Sequence, residues 1–259
     1  MRTVVFLHGL LTDHRLWRKV VPELGDGIEA VTPTLPLGSH DVPLPTADLS
    51  PPGLARIVAD LLEQRDLRDV LLVGNDTGGA IAQLVAAHHP ERLGGLVLTN
   101  CDAYERFFPQ LFRPLQYAAR VPGGVEAIAA TLRIPAARRL PIAYGRLTKR
   151  PIDRAVTDAW AAPSRNPAIR ADLRRVLRGV DKRHLLGAVP ALRRFEPPVT
   201  LAWAREDRLV FPPSLAERLA ADFPNARIEW IEDSWTFVPE DRPHELAAIV
   251  RAASGVSAQ

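Results

Sequence analysis

Short apolar, β-branched runs alternate along the chain with stretches whose apolar residues recur at helical spacing. Residues 3–7, 28–31, 70–73, 95–98, 199–203 and 227–231 read as strands. Several are continuously apolar rather than alternating, as expected of a parallel sheet covered on both faces. Leu54, Ile57, Val58, Leu61 and Leu62 form one helical stripe, with Ser50 as N-cap and Pro51 at the first helical position. Ile81, Leu84, Val85 and His88 form a second, closed by His89-Pro90, and Leu246, Ile249 and Val250 a third, after Pro243.

The alternation stops between residues 102 and 195. Helical patterns persist there (Ile169, Leu173, Val176 and Leu177; more weakly Ile152, Val156 and Trp160), but no strand does. Prolines at 109, 114, 122, 135, 141, 151, 163, 167 and 190 divide the stretch into short pieces. The expected organisation is a doubly wound α/β core built from residues 1–101 and 196–259, with a helical cap at 102–195.

Composition narrows the class. A chain of 259 residues, 47% apolar and 24% charged, can hold one core with a lid and needs no covalent staple. Cys101 is the only cysteine, which fits a reducing compartment. The N-terminal apolar run is too short for a signal peptide and no run is long enough to span a membrane, so the cytoplasm is the expected location. The net charge is +3, and the arginine pairs at 138–139, 174–175 and 193–194 are scattered among acidic residues. Solvated helix faces explain them better than a nucleic-acid surface. With no metal constellation and no nucleotide loop, no cofactor is expected; the partner is a small molecule, and oligomeric state stays open.

The most specific signal is Gly74-Asn75-Asp76-Thr77-Gly78-Gly79, which follows the strand Val70-Leu71-Leu72-Val73 and opens a helix. A nucleophile elbow needs that strand–turn–helix context, with small residues on either side of a central reactive group. Asp76 occupies the central position, and the Thr77 N–H stands at a helix N-terminus, where negative charge is stabilised. The simpler alternative is a glycine-rich turn in which Asp76 caps the helix.

With Phe6-Leu7-His8-Gly9-Leu10 ending the first strand, the chain resembles the α/β-hydrolase superfamily, and within it the haloalkane dehalogenases and epoxide hydrolases, whose nucleophile is an aspartate. The resemblance covers roughly residues 3–101 and 196–253. It implies an α/β-hydrolase fold with Asp76 as nucleophile and the Leu10 and Thr77 backbone N–H groups as oxyanion hole. The segment from Leu201 to Pro212 resembles the one that delivers the triad acid and assigns that role to Asp207. Asp102 occupies an alternative acid position, with a helix-capping role the better reading. Relatives carry a strand pair before the His-Gly strand; here either the sheet is shorter at that edge or the start lacks residues.

The family's histidine lies in a stretch resembling S-G-H-F-x-x-E-x-x-P. Aligned on Phe237, Glu240 and Pro243, Ser234-Trp235-Thr236-Phe237 places Thr236 where the histidine belongs. A serine nucleophile would be disabled by that loss, whereas a carboxylate with a reference pKa near 3.9 is already ionised. What suffers is the second step, in which water must be deprotonated to cleave the enzyme ester, a contribution of about 10²–10⁴-fold. His40 and His184 are candidate surrogate bases; His8, His14, His88, His89 and His244 read as structural or exposed. Thr77 stands where dehalogenases carry a halide-binding tryptophan, which disfavours dehalogenation. Tyr104, Tyr117 and Tyr144 are candidates for the tyrosines with which epoxide hydrolases protonate the epoxide oxygen, and Trp160 and Trp235 for an apolar pocket wall. Three functions stay open: hydrolysis of a small apolar ester, epoxide or related electrophile through an Asp76 ester; a lyase, isomerase or cyclase using Asp76 as acid and base; and ligand binding without catalysis.

Overall fold

The computed structural model describes residues 1–256. Six strands, β1 (Arg2–Leu7), β2 (Ile28–Val31), β3 (Val70–Asp76), β4 (Leu93–Cys101), β5 (Val199–Ala204) and β6 (Ala226–Ile231), form one sheet in the order β2-β1-β3-β4-β5-β6. Every adjacent pair is parallel. The six expected strands are all present, most of them extended by one to three residues. Burial follows position in the sheet: β5 is buried throughout, whereas the edge strands β2 and β6 are largely half-exposed.

The chain leaves β1 toward one edge, to β2, and returns to place β3 on the other side of β1. Such a reversal opens a crevice at the carboxyl ends of the two strands, where ligands bind in open parallel sheets. Here the crevice receives the loop after Leu7 and the end of β3, Asp76.

Helix α1 (Pro51–Gln64) starts as expected, with the Ser50 hydroxyl accepting the Gly53 N–H at 3.3 Å. Helix α2 (Thr77–His88) follows β3 directly and is almost wholly buried. Between β4 and β5 the chain is helical, with α3 (Arg113–Ala118), α4 (Gly124–Leu132), α5 (Arg154–Ala161), α6 (Pro167–Gly179) and α7 (Lys182–Leu192). Pro114 and Pro167 sit in first turns, where a missing N–H costs nothing. Pro190 departs from the expectation that each proline bounds a segment, because it lies inside α7. That helix packs against α2, so the last inserted helix belongs to the layer beside the sheet. Helices α8 (Pro213–Asp222), α9 (Val238–Asp241) and α10 (Pro243–Ser254) complete the chain, α10 touching β3, β4 and β5. Among the described residues no helix is long and apolar enough to cross a membrane.

Candidate active site

Asp76 has φ 53° and ψ −127°, outside the regions that L-residues favour. A backbone held this way costs on the order of 1–3 kcal/mol and persists only when its surroundings impose it. The constraint is steric: a Cβ at Gly78 would run into the carbonyl oxygens of Leu7 and His8, so only glycine lets α2 start this close to β1. The carboxylate makes no bond to the second or third N–H of α2, the bond by which a simple N-cap would hold the helix. Instead Oδ2 accepts the Leu10 N–H at 3.1 Å, and the Thr77 N–H also stabilises the charge. Gly9 lies against the same carboxylate, where a Cβ would collide with Oδ2. His8 anchors this loop: Nδ1 donates to the Gly9 carbonyl at 2.9 Å and Nε2 accepts the Leu35 N–H at 2.8 Å. Burial lowers its pKa to about 4, so it stays neutral.

Above the elbow is a cavity of about 330 Å³, lined by Asp76, Leu10 and Leu11 from the core and by residues 108–147 of the inserted segment. Phe108, Phe112, Ile128 and Leu132 make its walls apolar; Thr131 and Tyr144 are the only polar side chains besides Asp76. Withdrawal from water raises the Asp76 pKa to about 7, against the pull of the Thr77 and Leu10 N–H groups and with a further push from the Asp207 charge. No histidine lines this cavity.

Asp207, expected as the triad acid, is held by three donors. Asp207 Oδ1 accepts the Val210 N–H at 3.0 Å, and Oδ2 accepts Asn100 Nδ2 at 3.2 Å and the Thr236 hydroxyl at 2.6 Å. Burial raises its pKa, and these donors oppose the rise. Asn100 Oδ1 also accepts the Ala204 N–H at 2.7 Å, and Asn75 Nδ2 donates to the Thr236 carbonyl at 2.8 Å. Asn75 and Asn100 were not anticipated as site residues. The clue available was position, since both lie in strand ends, where a buried amide has little to bond except other loops.

Several candidates lie elsewhere. Asp102 does not cap the following helical turn, which begins after Ala103; it accepts the Thr77 hydroxyl at 3.2 Å, and burial holds its pKa well above the usual carboxylate range. His40 does not line the cavity; its Nε2 pairs with buried Asp172 at 3.1 Å and its Nδ1 accepts the Gly38 N–H at 3.3 Å. His184, on α7, does not line the cavity. Tyr104 points its hydroxyl at Asp222 (2.6 Å) beneath Arg218, and Tyr117 is exposed to solvent. Only Tyr144 lines the cavity, and its hydroxyl donates to the Leu11 carbonyl at 2.6 Å. Trp160 is buried behind Tyr144 with its N–H on Asp13 at 3.0 Å, and Trp235 stacks on Arg146; neither lines the cavity. Among the described residues no cluster of three or more His, Cys, Asp or Glu could hold a metal.

A parallel sheet of this order, with a strained residue on a strand-to-helix elbow below a cavity, defines a class of enzyme. The model of the alpha/beta hydrolase family matches residues 4–249, and the chain belongs to that family, as a hydrolase-class enzyme related to haloalkane dehalogenases. It is 27% identical over 251 residues to the uncharacterized hydrolase YugF of Bacillus subtilis, covering 95% of this chain and 87% of that one. It is 30% identical over 179 residues to a haloalkane dehalogenase of Mesorhizobium japonicum, covering 65% and 56%. A putative ancestral haloalkane dehalogenase superposes with a TM-score of 0.81 over 98% of this chain and 91% of its own, at 22% identity.

Proposed function

We propose that the protein attacks an apolar electrophile at a saturated carbon, an epoxide before others, through the carboxylate of Asp76, and releases the resulting ester slowly. The observation that carries this is a single carboxylate lining an apolar cavity, one oxygen bonded to the Leu10 N–H and the other free of that bond. In the reaction Oδ1 bonds to the substrate carbon and the C–O bond of the epoxide breaks. Its electron pair passes to the departing oxygen, which takes a proton from the Tyr144 hydroxyl or from water. The Asp76 oxygen that becomes the ester carbonyl then sits on the Leu10 and Thr77 N–H groups, already placed for the oxyanion of ester hydrolysis. The residues inserted between β4 and β5 act as the cap that excludes water.

The choice of electrophile follows from the donors. Acyl transfer would need Leu10 and Thr77 free for the substrate's own oxygen, and they are engaged by Asp76. Dehalogenation, named in two of the relatives above, needs a donor for the halide, and none of the five tryptophans lines the cavity. With Thr236 in the histidine position nothing in the cavity deprotonates water, so the ester outlives its formation. A second reading, proton transfer by Asp76 in a lyase or isomerase, draws on its pKa of about 7, suited to giving and taking a proton.

Intact-mass spectrometry after incubation with 1,2-epoxyoctane tests the proposal. The expected result is a gain of one epoxide mass per chain, mapped to Asp76 and absent from Asp76→Asn. Product formed from alkyl epoxides or halides with no such adduct, even on a rapid quench, would sink the covalent route and favour proton transfer.

A further inference from the structure

Of the eight large apolar side chains that stand exposed among the described residues, five fall between residues 117 and 142 of the inserted segment. They are Tyr117, Val121, Ile134, Leu140 and Ile142, each between 41% and 63% exposed. Protein surfaces scatter such residues singly, so a cluster marks a place where something docks. This cluster surrounds the opening of the Asp76 cavity. Pro114, Ala127, Thr131 and Ile142 line that cavity and are exposed at the same time, so the cavity reaches the surface between α3, α4 and the run at 141–143. Val121, Ile134 and Leu140 are each one turn from that rim. The Val121 N–H bonds to the Ala118 carbonyl at 3.3 Å, the Ile134 N–H to the Thr131 carbonyl at 3.0 Å and the Ala143 N–H to the Leu140 carbonyl at 2.9 Å. Ala118, Thr131 and Ala143 all line the cavity.

The same segment carries charge of one sign. Between residues 111 and 150 there are eight arginines and lysines against one acidic residue, Glu126, whose carboxylate is taken by Arg174 and Arg170 of α6. Arg138, Lys149 and Arg150 are likewise paired within the fold. Arg120, Arg133 and Arg139 are not: among the described residues none of them has a carboxylate within ion-pair distance, and all three are exposed. Each stands immediately before an exposed apolar residue, in Arg120-Val121, Arg133-Ile134 and Arg139-Leu140. An apolar side chain beside an unpaired guanidinium, three times over, suits the boundary of a lipid bilayer. There the apolar group enters the acyl region and the cation stays among the headgroups.

We propose that this face of the inserted segment docks on a membrane surface of anionic lipid, so that the mouth of the Asp76 cavity opens onto the bilayer. Val121, Ile134 and Leu140 enter the acyl boundary, and Arg120, Arg133 and Arg139 meet the lipid phosphates. An apolar substrate dissolved in the lipid then reaches Asp76 without crossing water. That delivery rests on the reading of the cavity as the substrate site, whereas the docking itself does not. A second copy of the chain fits the same face poorly, because a two-fold contact would set unpaired arginines against unpaired arginines. The attraction of the arginines to anionic lipid falls off within a Debye length and is screened by salt, while the apolar contribution is not.

Vesicle flotation tests the docking, on the full chain and on Arg120→Glu/Arg133→Glu/Arg139→Glu, with phosphatidylglycerol–phosphatidylcholine vesicles against phosphatidylcholine alone. At low salt the parent should bind the anionic vesicles about a hundredfold more tightly, the combined worth of three arginines near such a surface. That preference should shrink as salt is added and vanish in the triple variant. The three side chains are exposed and lie outside the cavity lining, so labelling of Asp76 by 1,2-epoxyoctane in solution should persist. Orientation is read with all three arginines in place. A polarity-sensitive fluorophore on Ile134→Cys should shift to the blue on anionic vesicles, and one on Gln64→Cys, exposed at the end of α1, should not; Cys101 is buried and stays unlabelled. Equal binding to both vesicles, a preference that survives charge reversal, or a blue shift at both positions would overturn the docking face. So would a dimer in sedimentation that Ile134→Ser/Leu140→Ser disperses, with no vesicle binding by the parent. A chain that docks but is never labelled at Asp76 keeps the face and loses the cavity reading; one that is labelled but does not dock does the reverse.

Discussion

The elbow and the acid corner are held with equal care but equipped very differently. At the elbow, geometry and chemistry agree: Asp76 is presented by a strained backbone, one oxygen is bonded to the Leu10 N–H, and the cavity above is apolar. Around Asp207, expected as the triad acid, the hydrogen bonding is as complete, but no neighbour is a base. Asp207 keeps a backbone N–H, an asparagine amide and a third donor, yet the third is the Thr236 hydroxyl at 2.6 Å. The Thr236 hydroxyl satisfies Asp207 as a donor but has no lone pair basic enough to take a proton at neutral pH. The network around Asp207 is satisfied without any member that could take a proton from water. On the proposed reading the nucleophile must ionise without a neighbouring base, which Asp76 does as pH rises through its pKa of about 7.

The sharpest way to break this contrast is to return the base. Asp207 is already in place as acceptor, so Thr236→His should hasten breakdown of an Asp76 ester by about 10²–10⁴-fold, the usual worth of a general base. Rapid-quench mass spectrometry would follow the adduct. A variant that folds and forms it, but releases it no faster, would show that the acid corner no longer serves the elbow. Next in size is the pH dependence of adduct formation. Burial brings Asp76 to about pKa 7, and only its ionised form attacks. The rate should fall by about two orders of magnitude from pH 8 to pH 5, tenfold per unit below the pKa. A flat profile over that range would mean that the attacking carboxylate is solvated.

How much of this was legible in the sequence depended on the range of the interactions involved. The central strands were readable because apolar side chains on both faces leave an unbroken run, as Val199–Ala204 does. Their ends were read short where polar residues continue the strand, and Gly74-Asn75-Asp76 is the clearest case: the residues that make the elbow also finish β3. The elbow is local, so spacing alone brought Asp76, Thr77 and the glycines together. Partners distant in sequence were not readable. Tyr104 is claimed by Asp222, 118 positions away, and His40 by Asp172, 132 away. Nothing in their neighbourhoods separates such structural pairs from catalytic ones. The cavity wall was equally hidden, because short helices broken by prolines carry too few turns to show a stripe. Phe108 and Phe112, and again Ile128 and Leu132, each pair four apart, were its short local traces.

The smallest expected effect bears on the elbow's own stability. Asp76 binds its proton with a pKa of about 7 when folded and near its ordinary 3.8 when unfolded. Between those values the folded chain holds more protons than the unfolded one, so stability falls as pH rises through the window, the loss being complete above about 7. Asparagine keeps the shape and tolerates positive φ but has no charge to desolvate. Asp76→Asn should therefore match the parent near pH 4 and exceed it at pH 8. At 1.36 kcal/mol per pKa unit the gain has a ceiling of about 4 kcal/mol, and partial contact with the cavity solvent should bring it to roughly 1–3 kcal/mol. Urea unfolding of both proteins at pH 4 and pH 8 measures the difference directly. An equal effect at the two pH values would place the change in packing rather than in charge. The carboxylate would then be as well solvated as any surface aspartate, and the contrast between the two corners would lose its electrostatic half.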